Sequence, residues 1–226
     1  MIKNFGCDEM KIDMHIHTEY SYDGISKIRK VFKKAKKKGL DGVAITDHFD
    51  IRGWKEAKEI AEEMNMFFIP GEEIKVLNKD KKIIAEVIAY FIKKGIGNKT
   101  IEELEREIHS QGGLIFLAHP FAKSRPAPRK PKELLRYVDG IETINARSRV
   151  WQINRRASRM ARNMNMPVVG GSDAHIPEEV GYAYTEVKGA KNLKEFKEGL
   201  QKGDSIAKGK KTNFFFHYAS QLKGRI

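Results

Sequence analysis

The sequence predicts an α/β barrel in which short buried strands alternate with amphipathic helices. Three observations predict it. Strand and helix patterns alternate in about seven units, as in a parallel sheet wrapped by helices. No Gly-x-Gly-x-x-Gly follows the first strand, which disfavours an open dinucleotide-binding sheet. Five of the seven histidines sit with carboxylates at the ends of short apolar runs. Barrels of the β/α type carry their chemistry there, at the C-terminal ends of strands.

Residues 11–17 read as the first strand, with Ile12, Met14 and Ile16 alternating against Asp13 and His15. A helix over 26–38 shows Ile28, Val31, Phe32 and Ala35 on one face, and Gly39 stops it. Residues 42–46 form a short buried strand and 54–64 a Glu/Lys-rich helix. A strand over 66–69 is cut by Pro70-Gly71. Residues 83–92 form an apolar strand interrupted by Glu86. Thr100 caps a helix over 100–111, and Glu103 completes its capping box. A strand over 114–118 precedes a helix over 131–137 that starts on proline. After a strand over 141–145, the helix 150–165 places Ile153, Ala157, Met160, Ala161 and Met164 on one side. Strands over 168–172 and 185–187, a helix over 193–201 and a ragged basic tail from about 204 complete the chain. The whole, 1–226, reads as one domain with its motif-bearing core at about 11–203, without internal repeat or linker.

At 226 residues, with 40% hydrophobic and 32% charged residues, the chain suits one sizeable globular core. No apolar run approaches the roughly 20 residues that span a bilayer. The first ten residues lack an apolar secretory core. The lone Cys7 cannot form an intramolecular disulfide, which fits a reducing cytoplasm. It lies upstream of every motif and is not read as a ligand. The net charge is +13. Much of the excess is lysine on predicted helix faces, such as Lys33, Lys34, Lys36, Lys37 and Lys38. It reads as solvated surface or as attraction for phosphate-bearing partners. Lys and Glu enrichment is also a thermophile habit.

His15 and His17 lie two apart at a strand end, so both imidazoles point to one face. In a barrel that face is the lumen, where both can bind one ion. Asp13 is placed to hold a ligand imidazole from behind. Two cations about 3.5–4 Å apart would activate water near neutral pH and offset phosphoryl charge. No nucleophilic Ser or Cys is needed; Ser21 and Ser172 read as turn residues or as supports behind the metal ligands, and Asp47 as an orienting group. Arg125 and Arg129 follow His119 in a proline-bearing loop, and Arg147 and Arg149 follow the strand ending at Asn145. Guanidinium forks match phosphate oxygens, so these are candidate substrate contacts. Glu142 reads as a supporting carboxylate and His109 as structural. The helix bearing Arg155, Arg156, Arg159 and Arg162 reads as a solvated face. The run Phe214–Phe216 before His217 reads as packing rather than base stacking.

Together the motifs Asp13-x-His15-x-His17-Thr18, Ser21-x-Asp23-Gly24, Ile45-Thr46-Asp47-His48, Pro70-Gly71-x-Glu73, Ala118-His119-Pro120 and Gly171-Ser172-Asp173-Ala174-His175 resemble the PHP (polymerase and histidinol phosphatase) family. The resemblance implies a distorted seven-stranded, TIM-like β/α barrel that hydrolyses phosphoesters with two or three divalent metals (zinc, manganese or iron). It implies that His15, His17, Glu73 and Asp173 bind a first metal. Glu73 bridges to a second held by His119, and Asp23, His48 and His175 hold a third. Glu73, Asp173 and His175 take the catalytic roles, with Glu72 at the variable position. Where many members carry a metal-binding histidine, this chain has Glu86. A carboxylate there can still ligate, and favours Mn²⁺, Mg²⁺ or Fe²⁺ over Zn²⁺.

These readings converge on a cytoplasmic, metal-dependent phosphoesterase acting on small phosphomonoesters, with nucleotides or oligonucleotide ends favoured by the basic balance. Histidinol phosphate is the alternative substrate. A non-catalytic nucleic-acid-binding or scaffold domain is the reading from another class, opposed by the near-complete ligand set.

Overall fold

The computed structural model describes residues 9–148 and 150–212; Cys7, Arg149, Phe214–Phe216 and His217 lie outside them. Nine strands form one sheet in the order β7-β6-β5-β4-β3-β2-β1-β8-β9. Strands β1 (Glu9–Asp13), β2 (Gly42–Ile45) and β3 (Phe67–Leu77) run parallel. So do β5 (Leu114–Leu117), β6 (Gly140–Asn145) and β7 (Val168–Gly171). Just past β1 and β7 the two ends meet through an Ile16–Ala174 bridge. There the Asp173 N–H donates to the His15 carbonyl at 2.7 Å, and the His17 N–H to that of Ala174 at 2.8 Å. The sheet is thus a nearly closed barrel. The approach requires glycine, because a Cβ at Gly171 would lie 2.3 Å from the His15 Cβ.

Strand β4 (Ile83–Tyr90) departs from the parallel pattern expected of 83–92. It runs antiparallel to both β3 and β5. A tight turn on Asn78, whose side-chain oxygen accepts from the Asp80 and Lys82 N–H groups, replaces a crossover helix. Reversal puts the first half of β4 beside the C-terminal half of β3, with Glu86 opposite Lys75. Pleating then turns Ile88 and Tyr90, and with them Glu86, toward the lumen, while Val87 and Ala89 pack against the helices.

Two further expectations are corrected. Strand β3 is not cut at Pro70-Gly71 but runs through it. The Pro70 carbonyl accepts from the Phe91 N–H, and only the reciprocal bond of that last pair is lost to the missing proline donor. The segment after 204 is not all ragged tail: β9 (Ser205–Gly209) pairs antiparallel with β8 (Ala183–Lys188).

Helices α1 (Ile28–Lys37) and α2 (Gly53–Met64) cover β1 and β2 with Val31, Phe32, Ile60 and Ala61. α3 (Ile101–Ser110) and α4 (Trp151–Asn163) cover the other side. The Thr100 capping box forms, with Glu103 accepting the Thr100 N–H at 2.9 Å. Residues 131–137 are a 3₁₀ rather than an α-helix. On α4, Met164 lies past the helix end and is exposed, while Asn154 is buried in its place. Ile12, Met14, Ile69, Ile88, Phe116 and Val169 fill the lumen beneath the site, closed by Phe196 and Leu200 of α5 (Leu193–Lys202). Among the described residues, no helix is long and apolar enough to cross a membrane.

Candidate metal centre

Every parallel barrel strand except β6 delivers a candidate ligand, at or just past its C-terminal end in β1, β2, β5 and β7 and from within the longer β3. They are His15 and His17 after β1, His48 after β2, Glu73 in β3, His119 after β5, and Asp173 and His175 after β7. Glu86 enters from the reversed β4, and Asp23 from the loop after His17. All but Asp23 are buried.

Glu73 lies at the middle. Its Oε2 is 3.2 Å from Nε2 of both His15 and His17 and 3.3 Å from Nε2 of His48. Its Oε1 is 2.9 Å from Nε2 of His119, which lies 3.6 Å from Glu86. Asp173 Oδ1 is 3.6 Å from His17 and 3.8 Å from His15. Asp23 Oδ2 is 3.1 Å from His175 and 3.8 Å from His48. The ligand atoms form four overlapping triads, each within 4.8 Å: His15–His17–Asp173, His17–Asp23–His175, His17–His48–Glu73 and Glu73–Glu86–His119. Glu72 points elsewhere and accepts from the Ile96 N–H at 2.8 Å.

These residues fit divalent cations. The outer Nδ1 of His15 faces Glu142 at 2.8 Å. That of His48 faces the Glu73 carbonyl at 3.2 Å, and that of His175 the Asp173 carbonyl at 2.9 Å. Each acceptor holds the proton on Nδ1 and leaves a lone pair on the inward Nε2. Those lone pairs face carboxylate oxygens, an arrangement that is repulsive unless a cation or proton lies between. Asp173 Oδ1 is buried without a hydrogen-bond partner, and its backbone is strained at φ 56°.

The surrounding charges shift several groups. Burial favours neutral His15, but Glu73 and Glu142 outweigh it and raise the imidazole to about 10. Burial lowers His48 to about 4. Burial and then Glu73 raise Glu86 to about 7. Burial works against ionised Asp23, yet its bond with His175 and the nearby His17 and His48 hold it below the usual carboxylate range. Burial, then Asp23, Glu86 and Glu73, raise the Tyr22 phenol to about 12.

Among the supporting residues Asp13 differs from expectation, while Glu142, Asp47, Ser21 and His109 take the roles expected of them. Asp13 holds no imidazole; it accepts the Ser172 and Gly181 N–H groups, each at 2.8 Å. The carboxylate behind His15 is Glu142, which also accepts the His119 N–H at 2.9 Å. Asp47 accepts from both the Thr18 N–H and hydroxyl at 2.6 Å, fixing the turn after His17. Ser21 donates to Asp23 at 2.7 Å. His109 is exposed and pairs with Asp139.

Sequence reading missed two groups. Asn145 donates to Glu142 and, at 3.0 Å, to Asp173, and its carbonyl oxygen on the side chain accepts the Arg147 N–H. Glu179 accepts the His175 N–H at 2.8 Å and faces Arg147 Nε at 3.4 Å. The Pro177-Glu178-Glu179 step after His175 was a signal for the second.

Arg125 pairs with Asp173, and Arg147 is buried. Both line a cavity of about 300 Å³ beside His119, with Lys123, Asn145, Val150 and Ile153. Arg129 is exposed and lines a different groove, with Asn78 and Ile83. Arg156 stacks over Phe121 at 4.4 Å.

A family profile described as PHP-associated matches residues 151–205. A Methanocaldococcus jannaschii protein of uncharacterized function is 35% identical over 155 residues, 64% of this chain and 87% of that protein. A solved two-domain protein from Bacteroides vulgatus, containing a predicted PHP-like metal-dependent phosphoesterase, superposes with a TM-score of 0.73 at 21% identity. The match covers 89% of this chain and 65% of that one. The lesion-specific endonuclease PfuEndoQ from Pyrococcus furiosus superposes with a TM-score of 0.60 at 18% identity, over 85% of this chain and 56% of that one. The chain thus spans just under two thirds of the first structure and little more than half of the second. With its six motifs gathered at one end of such a barrel, the chain belongs to the PHP family, whose structural relatives include PHP-like metal-dependent phosphoesterases.

Proposed function

We propose that this protein hydrolyses phosphate monoesters, with nucleotides or oligonucleotide ends as the substrate class. The observation that carries the reading is the convergence of the inward Nε2 atoms of His15, His48 and His175 on the carboxylates of Glu73 and Asp23. His15, His17, Glu73 and Asp173 would hold one cation, Glu73, His119 and Glu86 a second, and Asp23, His48 and His175 a third. Such cations, when bound, acidify water and neutralise phosphoryl charge.

The chain's own groups do the rest. Glu142 and the carbonyls of Glu73 and Asp173 fix the imidazoles, so little reorganisation is needed when substrate arrives. Arg125 and Arg147 hold the non-reacting phosphate oxygens from the cavity side. Buried Glu73, held below its ordinary value by the surrounding histidines, keeps that end of the site anionic, matched to cation loading. The net charge of +13 draws polyanions to the surface. A structurally similar endonuclease Q has been solved with a 27-mer duplex substrate bearing an abasic lesion at its active site, which supports the nucleic-acid side of the substrate class.

The test is phosphate release with added Mn²⁺ from nucleoside phosphates, short oligonucleotides and histidinol phosphate, against a chelated control. Chelator-sensitive release from the base-bearing esters, lost in His15→Ala and Asp173→Ala at near-native folding, is expected. Equal release by wild type and both variants overturns the site assignment. Release confined to histidinol phosphate overturns the substrate class.

A further inference from the structure

Two of the six exposed large hydrophobic side chains among the described residues stand together at the mouth of the metal centre. Tyr22 is 64% exposed and Phe49 is 44% exposed. Both rings lie near-parallel to the His48 imidazole, with centroids 5.0 Å and 5.7 Å away and interplanar angles of 21° and 27°. The Lys75 ammonium stands 5.4 Å from each ring centroid. Phe49 is held at φ 56°, a left-handed conformation that bulky residues avoid. Such strain persists where the surrounding structure imposes it, commonly at ligand sites. Tyr22 adjoins Asp23, the most exposed of the candidate ligands at 30% of its side chain, so the rings border the open side of the cluster.

We propose that Tyr22 and Phe49, with Lys75, form a stacking subsite for a nucleobase whose phosphate lies at the metal centre. The inference rests on the phosphoesterase reading and specifies its substrate as a base-bearing ester rather than a small aliphatic one. Exposed aromatic side chains beside a cation suit this occupant. A base stacks on the ring without regard to sequence, and the ammonium meets the phosphate of an adjoining nucleotide. The arginines of the His119 cavity approach from another strand end, so the ester is held by its base on one side and its phosphate on the other. Because stacking does not read base edges, discrimination among the bases should be weak.

The test compares kcat/KM for a 5′-phosphorylated dinucleotide with that for glycerol phosphate. Tyr22→Ala and Phe49→Ala are each expected to lower this ratio about tenfold, and Tyr22→Phe to preserve it. A second readout needs no turnover. A 2-aminopurine nucleotide titrated into the chelated protein should lose emission as its base stacks, and should lose far less with Tyr22→Ala. Circular dichroism establishes that the variants fold. An unchanged ratio in both alanine variants, or equal quenching by Tyr22→Ala and wild type, overturns the subsite. Absence of chelator-sensitive hydrolysis of any ester by wild type instead overturns the phosphoesterase reading, and the quenching then tests base binding separately.

Discussion

Glu142 holds the Nδ1 of His15 at 2.8 Å, with neither side chain exposed to solvent. The contact ties β6 to the first ligand across the lumen and fixes which imidazole nitrogen faces the cluster. Outer partners of this kind typically contribute a factor of about 10–100 in metal affinity. Glu142→Gln should therefore weaken Mn²⁺ binding by that order while the fold persists. Titration calorimetry measures it, and wild-type affinity in the variant would show that Glu142 does not orient His15.

Gly171 lies where β7 crosses closest to His15. A Cβ there would sit 2.3 Å from His15 Cβ and 2.6 Å from its backbone nitrogen, and neither can yield as the end of a flexible chain could. Gly171→Ala should cost about 1–3 kcal/mol in denaturant unfolding, the usual range for overpacking. It should also lower bound metal, because His15 must move. A stable variant with full metal content would show that the barrel relaxes without disturbing the site.

The ligand motifs were legible because each is short and local, and a strand end presents it whatever the rest of the chain does. Glu73 was separated from Glu72 by the Gly-x-Glu pattern, and pleating places the two on opposite faces. The direction of β4 was not legible, since an apolar run reads the same whether its neighbours are parallel or antiparallel. That reversal is what turns Glu86 toward Glu73 and His119. Pro70 was misread as a break because its missing donor matters only at one pair. Glu142 was read as a supporting carboxylate, yet its partner in space, His15, is 127 positions away. Tyr22, Phe49 and Lys75 come from three segments and share no pattern in the chain.

Arg147 is buried beside Glu179, and burial lowers its guanidinium to about 10, against the pull of Glu179. Its carboxylate partner also fixes the His175 backbone, so Arg147 is positioned rather than mobile. Arg147→Ala should raise KM for phosphate esters about tenfold, equivalent to one charged hydrogen bond of about 1.5 kcal/mol. Arg147→Lys should not restore it, because an ammonium lacks the planar fork. Steady-state kinetics decide this, and an unchanged KM in Arg147→Ala would remove it from substrate binding.

Metal removal should make stability depend on pH in a defined direction. Among the cluster imidazoles with resolved shifts, burial keeps His48 near 4 and His175 below its ordinary value. His15 alone is raised, to about 10 from 6.5. A histidine protonated more readily folded than unfolded stabilises the fold fully below pH 6.5, and that stabilisation fades as pH rises through about 10. The chelated protein should therefore lose Tm progressively between those limits. With cations bound, the His15 proton is already displaced, so the loaded protein should lack this loss. Loading near pH 8 should release a proton, seen as a calorimetric heat that varies with the ionisation enthalpy of the buffer. Parallel Tm profiles with and without chelator, together with a buffer-independent heat, would show that His15 is neutral before the metal arrives.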